Sequence, residues 1–383
     1  MKKLIFVNKF GPLSNAVTGK NAKELADFLV NDNIEVTFVC MKADYKVSSN
    51  SSDNSGNAYT IKELRNYYSG NSPVIRLLVS LVDGFRLWLT SVTRKSDAVI
   101  VMTDPPLLFF WFQLFRSFSK RKLYYWTMDL YPEAFVAGKF IKAGNLFYKF
   151  LHKIVYSKAP DFAIILGNKQ LEFLEDKFNS SLPNVIIPCG VIETNGVRDC
   201  NGIKDNKSMI TFGYGGNVGE AHDAEFLVSF INQLDPEKHE ILLSLYGSKA
   251  NYVKQLAQGK KNVIFKEFLS YPDISCIDIN IATLLSDWDH ICVPSKAVTA
   301  ICCGSALLLN TTREADAWNM FKEGSWLIET GKDYDLLIKE YLDGLDQASI
   351  NGKRLMAKGL AKNEISRKME SLKKFASMVH SQV

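Results

Sequence analysis

Apolar and polar positions follow two alternating periods along the chain. Short β-branched apolar runs predict buried strands, and stretches between them show helical spacing, as in Asn21–Val30, where Leu25 and Leu29 share one face with Phe28. Such alternation is typical of parallel sheets covered by helices, an α/β class. The predicted strands are Leu4–Asn8, Ile34–Cys40, Ala98–Met102, Lys122–Trp126, Phe162–Leu166, Asn184–Pro188, Met209–Tyr214, Ile241–Tyr246, Val263–Phe265, Ile277–Ala282 and Ala306–Asn310.

A polar segment rich in Gly and Asn, Glu193–Ser208, interrupts this alternation and has the composition of a linker. The chain has 383 residues, more than one hydrophobic core usually holds. We therefore expect two similar α/β domains on either side of the linker. Ser48–Asn57 is a polar low-complexity loop, and the Lys-rich tail Gly352–Val383 predicts one or two exposed helices.

Composition narrows the class of protein. The formal net charge of +5 is too mild to indicate a nucleic-acid partner. Seven cysteines without a C-x-x-C pair predict free thiols in a reducing compartment and no metal site. The chain start lacks the pattern of a signal peptide, and no apolar run reaches the roughly 18 residues of a spanning helix. We expect a cytoplasmic protein.

The segment Phe212–Gly219 (FGYGGNVG) follows a predicted strand and is expected to open a helix. Glycines let the backbone approach a ligand closely, and a helix N-terminus attracts anions such as a diphosphate. A plain strand-to-helix turn is the alternative, and the G-K-[ST] ending of a P-loop is missing. His222 follows the segment and either contacts a phosphate or sugar hydroxyl or lies on the helix surface.

A cationic helix start follows later in the chain. Pro294-Ser295 predicts the beginning of a helix over Ala297–Cys303, with Gly304 as its cap. Lys296 in the first turn opposes the helix dipole, which makes sense if an anion binds between the ammonium and the free amides. The alternative is a solvated surface lysine.

Two carboxylates, Asp129 and Glu133, follow the predicted strand Lys122–Trp126. Ligands of parallel sheets bind at the carboxyl ends of strands, so either carboxylate is a candidate to accept a hydrogen bond from a sugar hydroxyl or to act as a base. A pair stabilised by a helix dipole is the alternative.

Aromatic residues concentrate between residues 74 and 118. Over Val74–Lys95, the polar side chains fall on one narrow helical stripe, and Leu107–Phe118 adds a second apolar segment followed by Lys120, Arg121 and Lys122. One interpretation is two core helices, one with a thin solvent-facing stripe. The other is an apolar surface within residues 74–122 that rests on a membrane and meets a lipid-linked substrate. The stripe comprises Arg76, Ser80, Asp83, Thr90 and Arg94.

Five motifs follow one another along the chain: DAVIVMTDPPLL from Asp97, WTMDLYPEAFVAGKF from Trp126, IIPCGV from Ile186, GYGGNVGEAHD from Gly213, and VPSK from Val293 with Gly304. In this order they resemble retaining sugar-nucleotide glycosyltransferases of family 4, in particular the bacterial branch that builds O-antigen and capsule polysaccharides. The resemblance implies a GT-B fold, with two facing Rossmann-like domains and a C-terminal helix crossing back. It implies an acceptor-binding domain at 1–190, a nucleotide-sugar-binding domain at 209–365, and a helix at 366–383 packing on the first.

The resemblance also implies roles for individual residues. Asp129 and Lys296 would be catalytic, and Asp129 with Glu133 would contact the acceptor. The sequence departs from the family pattern at Ile291 and Thr299, where two glutamates are common, at Met128, commonly His, and at Glu220-Ala221-His222, where a basic pair is common. Donor contacts would come from Gly215, Gly216, Asn217, Gly219, His222, Tyr246, Gly247, Ser295, Lys296 and Thr299.

The expected function is transfer of a hexose or N-acetylaminosugar from a nucleoside-diphosphate sugar, most simply a UDP-sugar. The acceptor would be a lipid-linked glycan of surface polysaccharide biosynthesis, at the inner face of the cell membrane. No cofactor or metal is expected, because helix N-termini and Lys296 would absorb the charge that develops on the diphosphate. A sugar-nucleotide epimerase of the same fold and a catalytically silent partner protein are the alternatives.

Overall fold

The computed structural model describes residues 1–14, 16–42, 59–66, 73–192, 209–331 and 333–382. The predicted loop Ser48–Asn57, the predicted linker Glu193–Ser208 and Val383 lie outside these residues, as do the side chains of Val74 and Arg76. The chain forms two compact units, one of residues 1–189 with 369–383 and the other of residues 190–368.

The first unit contains a parallel seven-stranded sheet with strand order β3-β2-β1-β4-β5-β6-β7. Apolar runs mark every strand except β3, which the sequence analysis missed because this edge strand carries mostly exposed polar residues. The chain winds one way from β1 to β3 and the other way from β4, so a crevice for ligands is expected where β1 and β4 end. The strands are β1 Lys3–Phe10, β2 Glu35–Met41, β3 Thr60–Leu64, β4 Ala98–Val101, β5 Lys122–Trp126, β6 Phe162–Ile165 and β7 Asn184–Ile186.

Helices connect these parallel strands. The crossovers that contain α2, α3 and α5 all step in the same direction across the sheet, so right-handed connection places these helices on one face, opposite α1. The helices are α1 Val17–Asn31, α2 Pro73–Val92, α3 Leu108–Leu114, α4 Glu133–Ala137, α5 Leu146–Val155 and α6 Asn168–Phe178.

The second unit repeats this design with a six-stranded parallel sheet, order β10-β9-β8-β11-β12-β13. Its strand order reverses between β8 and β11. Both units are therefore Rossmann-like, as expected. The elements are β8 Ile210–Asn217, α7 Ala224–Gln233, β9 His239–Tyr246, α8 Ala250–Ala257, β10 Val263–Phe265, α9 Tyr271–Cys276, β11 Ile279–Thr283, α10 Ser295–Cys302, β12 Ala306–Thr311, α11 Asp316–Phe321, β13 Ser325–Glu329 and α12 Tyr334–Asp343.

The tail forms a single helix, α13 Gln347–Gln382, and it begins before the predicted Gly352. The expectation of exposed helices is wrong, because apolar residues interspersed among the lysines are buried. Phe375 is fully buried, and its ring centroid lies 6.0 Å from that of Tyr124 and 5.6 Å from that of Phe162. The end of α13 therefore completes the core of the first unit.

Helix α2 buries part of its polar stripe. Asp83, from the polar stripe, is 2% exposed and accepts a hydrogen bond from Arg86 Nη1 at 2.8 Å, whereas Leu78 and Val82 are exposed. The solvent-facing interpretation of the stripe is wrong at Asp83, because periodicity does not reveal which face turns inward. For α3 the core interpretation is confirmed, since Leu108–Phe110 are buried.

Cysteine chemistry differs from the expectation at one position. Cys276 is disulfide-bonded, so the prediction of free thiols is wrong there, and Cys200 lies outside the described residues. The free cysteines are Cys40, Cys189, Cys292, Cys302 and Cys303. In the part of the chain that the structure describes, no helix is long and apolar enough to cross a bilayer.

Candidate functional site

The glycine-rich segment ends a strand rather than opening a helix. β8 runs through Gly215 and Gly216 to Asn217, in parallel register with the end of β9, and α7 begins only at Ala224. Asp223 caps α7 by accepting a hydrogen bond from the backbone of Phe226 at 2.9 Å. The expectation of a helix start at the glycines is therefore wrong, and the first turn of α7 is already capped by a carboxylate of this chain.

The glycines instead allow two strand ends to meet closely. Gly247 has φ +107°, and a Cβ there would lie 2.0 Å from Oδ1 of Asn217. Gly216 has φ +120°, and a Cβ at Gly219 would lie 2.9 Å from Nδ2 of Asn217. The carbonyl oxygen of Tyr246 accepts a hydrogen bond at 2.7 Å from the backbone N–H of Val218, the residue after Asn217. Most of the predicted donor-binding positions thus come together at the carboxyl ends of β8 and β9.

Lys296 reaches this same place from α10. Its Nζ donates to the hydroxyl of Tyr214 at 2.6 Å and to the carbonyl oxygen of Asn217 at 2.8 Å, and it lies 4.2 Å from the Tyr214 ring centroid. The N-cap of α10 is Pro294, which provides no side-chain cap for the amides of the first turn. The structure therefore joins the glycine strand and the cationic helix start at the strand-order reversal.

Burial sets the electrostatics of Lys296. The side chain is partly buried, and loss of water lowers the pKa of its ammonium to about 7. A neutral or weakly charged lysine beside uncapped amides is poised to gain a proton when an anion arrives. A diphosphate is an anion of this kind.

His222 lies beside the Lys296 ammonium, and hydrogen bonds define the protonation state of its imidazole. Its Nδ1 lies 2.8 Å from the carbonyl oxygen of Thr283, which can only accept, so Nδ1 carries the proton and Nε2 is assigned as the acceptor. Nε2 lies 3.4 Å from Nζ of Lys296. Burial, followed by the charges of Lys296 and Lys249, lowers the pKa of His222 well below its ordinary value. The residue is therefore neutral at pH 7 and does not lie on the surface of α7.

Lys249 is a functional candidate that the sequence analysis missed. Its Nζ donates to the carbonyl oxygens of Glu220 at 3.3 Å and His222 at 3.2 Å. Glu220, which stands where the family has a basic pair, accepts a hydrogen bond from Ser248 Oγ at 2.8 Å. The lysine that follows β9 thus brings a cation to the loop after β8.

A cavity of about 430 Å³ opens beside this loop, between α7 and α8. It is lined in part by His222, Ser248, Lys249 and Tyr252, and Lys296 and Gly216 are not among its lining residues. The cavity therefore lies beside the carboxyl ends of β8 and β9, where Lys296 meets Gly216 and Asn217, and is separate from that place.

Thr299 and Ser295 face a backbone turn. The Thr299 hydroxyl donates to the carbonyl oxygen of Gly190 at 2.9 Å. A Cβ at Gly190, where φ is +90°, would lie 2.6 Å from the carbonyl oxygen of Ser295. Thr299 thus holds the chain entering the second unit, and donor contacts by Thr299 or Ser295 stay predictions.

In the first unit, the two predicted carboxylates occupy different surroundings. Asp129 follows β5, is partly exposed, and its backbone N–H donates to Oγ1 of Thr103 at 3.3 Å. Glu133 begins α4, is buried, and accepts a hydrogen bond from Tyr156 Oη at 2.7 Å. Burial raises the pKa of Glu133 to about 6. Acceptor contacts by either residue stay predictions, and Asp129 has the more accessible position. Among the described residues, no group of three or more His, Cys, Asp and Glu side chains is arranged to hold a metal ion.

No protein-family model matches the chain. The probable glycosyltransferase WbjE of Pseudomonas aeruginosa is 25% identical over 254 residues. The match covers 62% of this chain and 63% of WbjE, less than two thirds of either.

Solved structures extend the comparison to the whole chain. Sucrose-phosphate synthase from Thermosynechococcus elongatus matches with a TM-score of 0.70 and 14% identity, covering 100% of this chain and 98% of that one. Anabaena Alr3699/HepE in complex with UDP and glucose matches with a TM-score of 0.64 and 13% identity, covering 98% and 100%. WaaG, a glycosyltransferase involved in lipopolysaccharide biosynthesis, has a TM-score of 0.64 at 11% identity, covering 98% and 99%. These likenesses confirm the GT-B fold, with two parallel-sheet α/β domains and a long C-terminal helix.

Proposed function

We propose that the protein is a retaining glycosyltransferase of family 4 that takes a sugar from a UDP-sugar. The observation that carries the proposal is Lys296, whose ammonium lies beside the uncapped first turn of α10 and the end of the glycine strand β8. Helix amides and an ammonium at one point form a binding site for a diphosphate.

Uridine as the nucleoside is supported by the fold neighbour HepE, which was solved with UDP and glucose. The second unit also has exposed aromatic rings near the carboxyl ends of β8 and β9. Tyr246 is 62% exposed, and Phe268, 71% exposed, directly precedes Leu269, whose side chain contacts Gly215. We propose that one of these rings stacks on the nucleobase.

The chemistry proposed for Lys296 is stabilisation of the departing diphosphate. Negative charge develops on the phosphate oxygens as the glycosidic bond breaks, and a fixed ammonium with helix amides lowers the free energy of that state. His222 accepts from the ammonium and keeps it in position. In the proposed reaction the acceptor oxygen bonds to the sugar carbon from the face that the diphosphate leaves, and the hydroxyl proton leaves with the departing diphosphate. Asp129 orients the hydroxyl by accepting a hydrogen bond from it.

The proposed acceptor is a lipid-linked glycan of surface polysaccharide biosynthesis. WaaG, with the same fold, acts in lipopolysaccharide biosynthesis, which supports a related role. The partly exposed position of Asp129 after β5 suits contact with a large acceptor.

A thermal-shift comparison of UDP, GDP, CMP and NAD tests the donor assignment. A nucleotide at 100 times its Kd should add about 2.7 kcal/mol to the free energy of unfolding, and we expect this for UDP. Stabilisation by NAD alone would contradict the proposal. Transfer is then measured with UDP-sugars and a lipid-linked glycan extract, with NMR of the new anomeric proton reporting retention. Epimerised sugar nucleotide without transfer would indicate an epimerase instead.

A further inference from the structure

Helix α2 turns an apolar face to solvent. Ile75, Leu78, Val82 and Leu89 are 44%, 58%, 57% and 46% exposed, and their spacing places them on one side of the helix. The helix buries the acidic residue Asp83 on its inner side. A contiguous exposed apolar face of this kind marks an interaction surface.

A second exposed segment, residues 139–153, comprises the turn after α4 and most of α5. Its large apolar side chains Phe140, Leu146 and Phe150 are 56%, 82% and 52% exposed. Between residues 134 and 160 the sequence contains five lysines and no aspartate or glutamate. Segment 139–153 is therefore both apolar and uniformly cationic on its solvent side. The exposed lysines within it are Lys139, Lys142, Lys149 and Lys153.

The two features belong to one face of the first unit. Helix α3 packs against both α2 and α5. Trp111 Nε1 of α3 donates to the carbonyl oxygen of Leu81 in α2 at 2.9 Å, and Phe110 of α3 contacts Phe150 of α5 with ring centroids 6.1 Å apart. The right-handed crossovers place all three helices on the same side of the sheet.

We propose that the exposed face of α2 and segment 139–153 together form a docking surface for a bilayer rich in anionic lipid. Exposed Phe and Leu side chains enter the boundary between headgroups and acyl chains, while the lysines bind lipid phosphates. The surface extends the sequence-based hypothesis for residues 74–122 to a segment that the sequence analysis left unassigned. No part of it requires a spanning helix.

Charge complementarity favours a membrane over a second copy of this chain. A symmetric dimer through this surface would place two copies of the cationic segment 139–153 in one interface, and like charges brought together are unfavourable. A surface of anionic lipid provides the opposite charge over the whole face.

Vesicle co-sedimentation of the full chain tests the proposal without requiring any turnover. We expect binding to vesicles of phosphatidylcholine with about one third phosphatidylglycerol, little binding to pure phosphatidylcholine, and release at high salt. Replacing Lys142, Lys149 and Lys153 by Gln should lower the partition coefficient about fivefold per lysine, on the order of a hundredfold together. The control variant carries Lys254→Gln, Lys261→Gln and Lys362→Gln, which are exposed lysines of the second unit.

The apolar part is tested separately. Leu78→Ser with Leu146→Ser should weaken vesicle binding by at least about tenfold. Leu336→Ser with Leu355→Ser, at positions 55% and 67% exposed in the second unit, should leave it unchanged. Thermal unfolding of each variant verifies that it is folded.

Three results would overturn the proposal. The first is that the wild-type protein does not bind anionic vesicles, and the second is that the lysine variants bind them as tightly as wild type. The third is that the protein is a dimer in solution and that the leucine substitutions dissociate it. Donor binding is measured independently, so failure here and failure of the proposed sugar transfer are distinguishable.

Discussion

Replacing Lys296 by Met removes one ammonium from the candidate diphosphate site while retaining most of the side-chain stem. In the structure this ammonium donates to Tyr214 Oη and to the carbonyl oxygen of Asn217. A hydrogen bond to a charged group contributes about 1.5–3 kcal/mol. We therefore expect Lys296→Met to raise the Kd for UDP by about 10- to 100-fold near pH 7.

The pH dependence makes this prediction sharper. Burial lowers the pKa of Lys296 to about 7 in the free protein, and a bound diphosphate raises it. Above pH 7 the free protein has lost the proton, so binding must take one up, and affinity falls as pH rises. The affinity for UDP can fall at most tenfold per pH unit, or about 1.4 kcal/mol of binding free energy. Water around this partly exposed side chain makes the fall smaller. His222 does not interfere, because its pKa lies well below its ordinary value.

Isothermal titration calorimetry with UDP between about pH 7 and pH 9 measures both effects. The phosphate groups of UDP are already ionised in this range. Wild type should weaken with pH and take up a proton, as seen in buffers of different ionisation enthalpy. Lys296→Met should bind weakly and without this pH dependence, and Lys254→Met should resemble wild type. The assignment is wrong if Lys296→Met keeps wild-type affinity or if the pH dependence persists in it.

Three further changes test other parts of the structure. Gly247→Ala places a Cβ 2.0 Å from Asn217 Oδ1 and should lower both Tm and UDP affinity, whereas Gly259→Ala, with φ +84° and open space around it, should cost only the roughly 1–2 kcal/mol of a left-handed residue. Equal UDP affinity in the two variants would contradict the close-approach argument. Glu133→Gln should raise the free energy of unfolding by up to about 2 kcal/mol at pH 8 but not near pH 4 in urea titrations, because the folded pKa of about 6 exceeds the ordinary 4.5 and ionisation above it costs stability. A loss of stability at pH 8 would show that the Tyr156 hydrogen bond outweighs that cost. Phe375→Ala should lower the free energy of unfolding of the first unit by about 3–5 kcal/mol, because the side chain is fully buried. Hydrogen exchange of the first unit during urea titration measures this loss.

The strands could be predicted because parallel strands are buried on both faces and read as continuous apolar runs. β5 and β10 have the predicted bounds. The strand β3 was missed because its residues are mostly polar and exposed, whereas the edge strands β7 and β10 carry apolar runs and were predicted. The edge strand β13 was not predicted either. Apolar runs also do not distinguish inward from outward on a helix, and α2 could only be oriented once Asp83 was seen paired with Arg86.

The candidate site was partly predictable for a similar reason. Glycines and a lysine in a helix start are local signals, and the structure brings Lys296 to Asn217 as the anion argument requires. The protonation state of His222 depends on a carbonyl oxygen from β11, and Lys249 joins the site through loop carbonyl groups. Such contacts arise from tertiary packing and leave no spacing in the sequence.

Helix α13 has a consequence for how the chain folds during synthesis. The first unit contains residues 369–383, and Phe375 belongs to its core, although about 180 other residues are made after Cys189. At typical translation rates this is a delay of roughly 10–40 s. The second unit can fold while the first still lacks residues 369–383. During that interval a chaperone has the longest opportunity to bind the unfinished amino-terminal sheet.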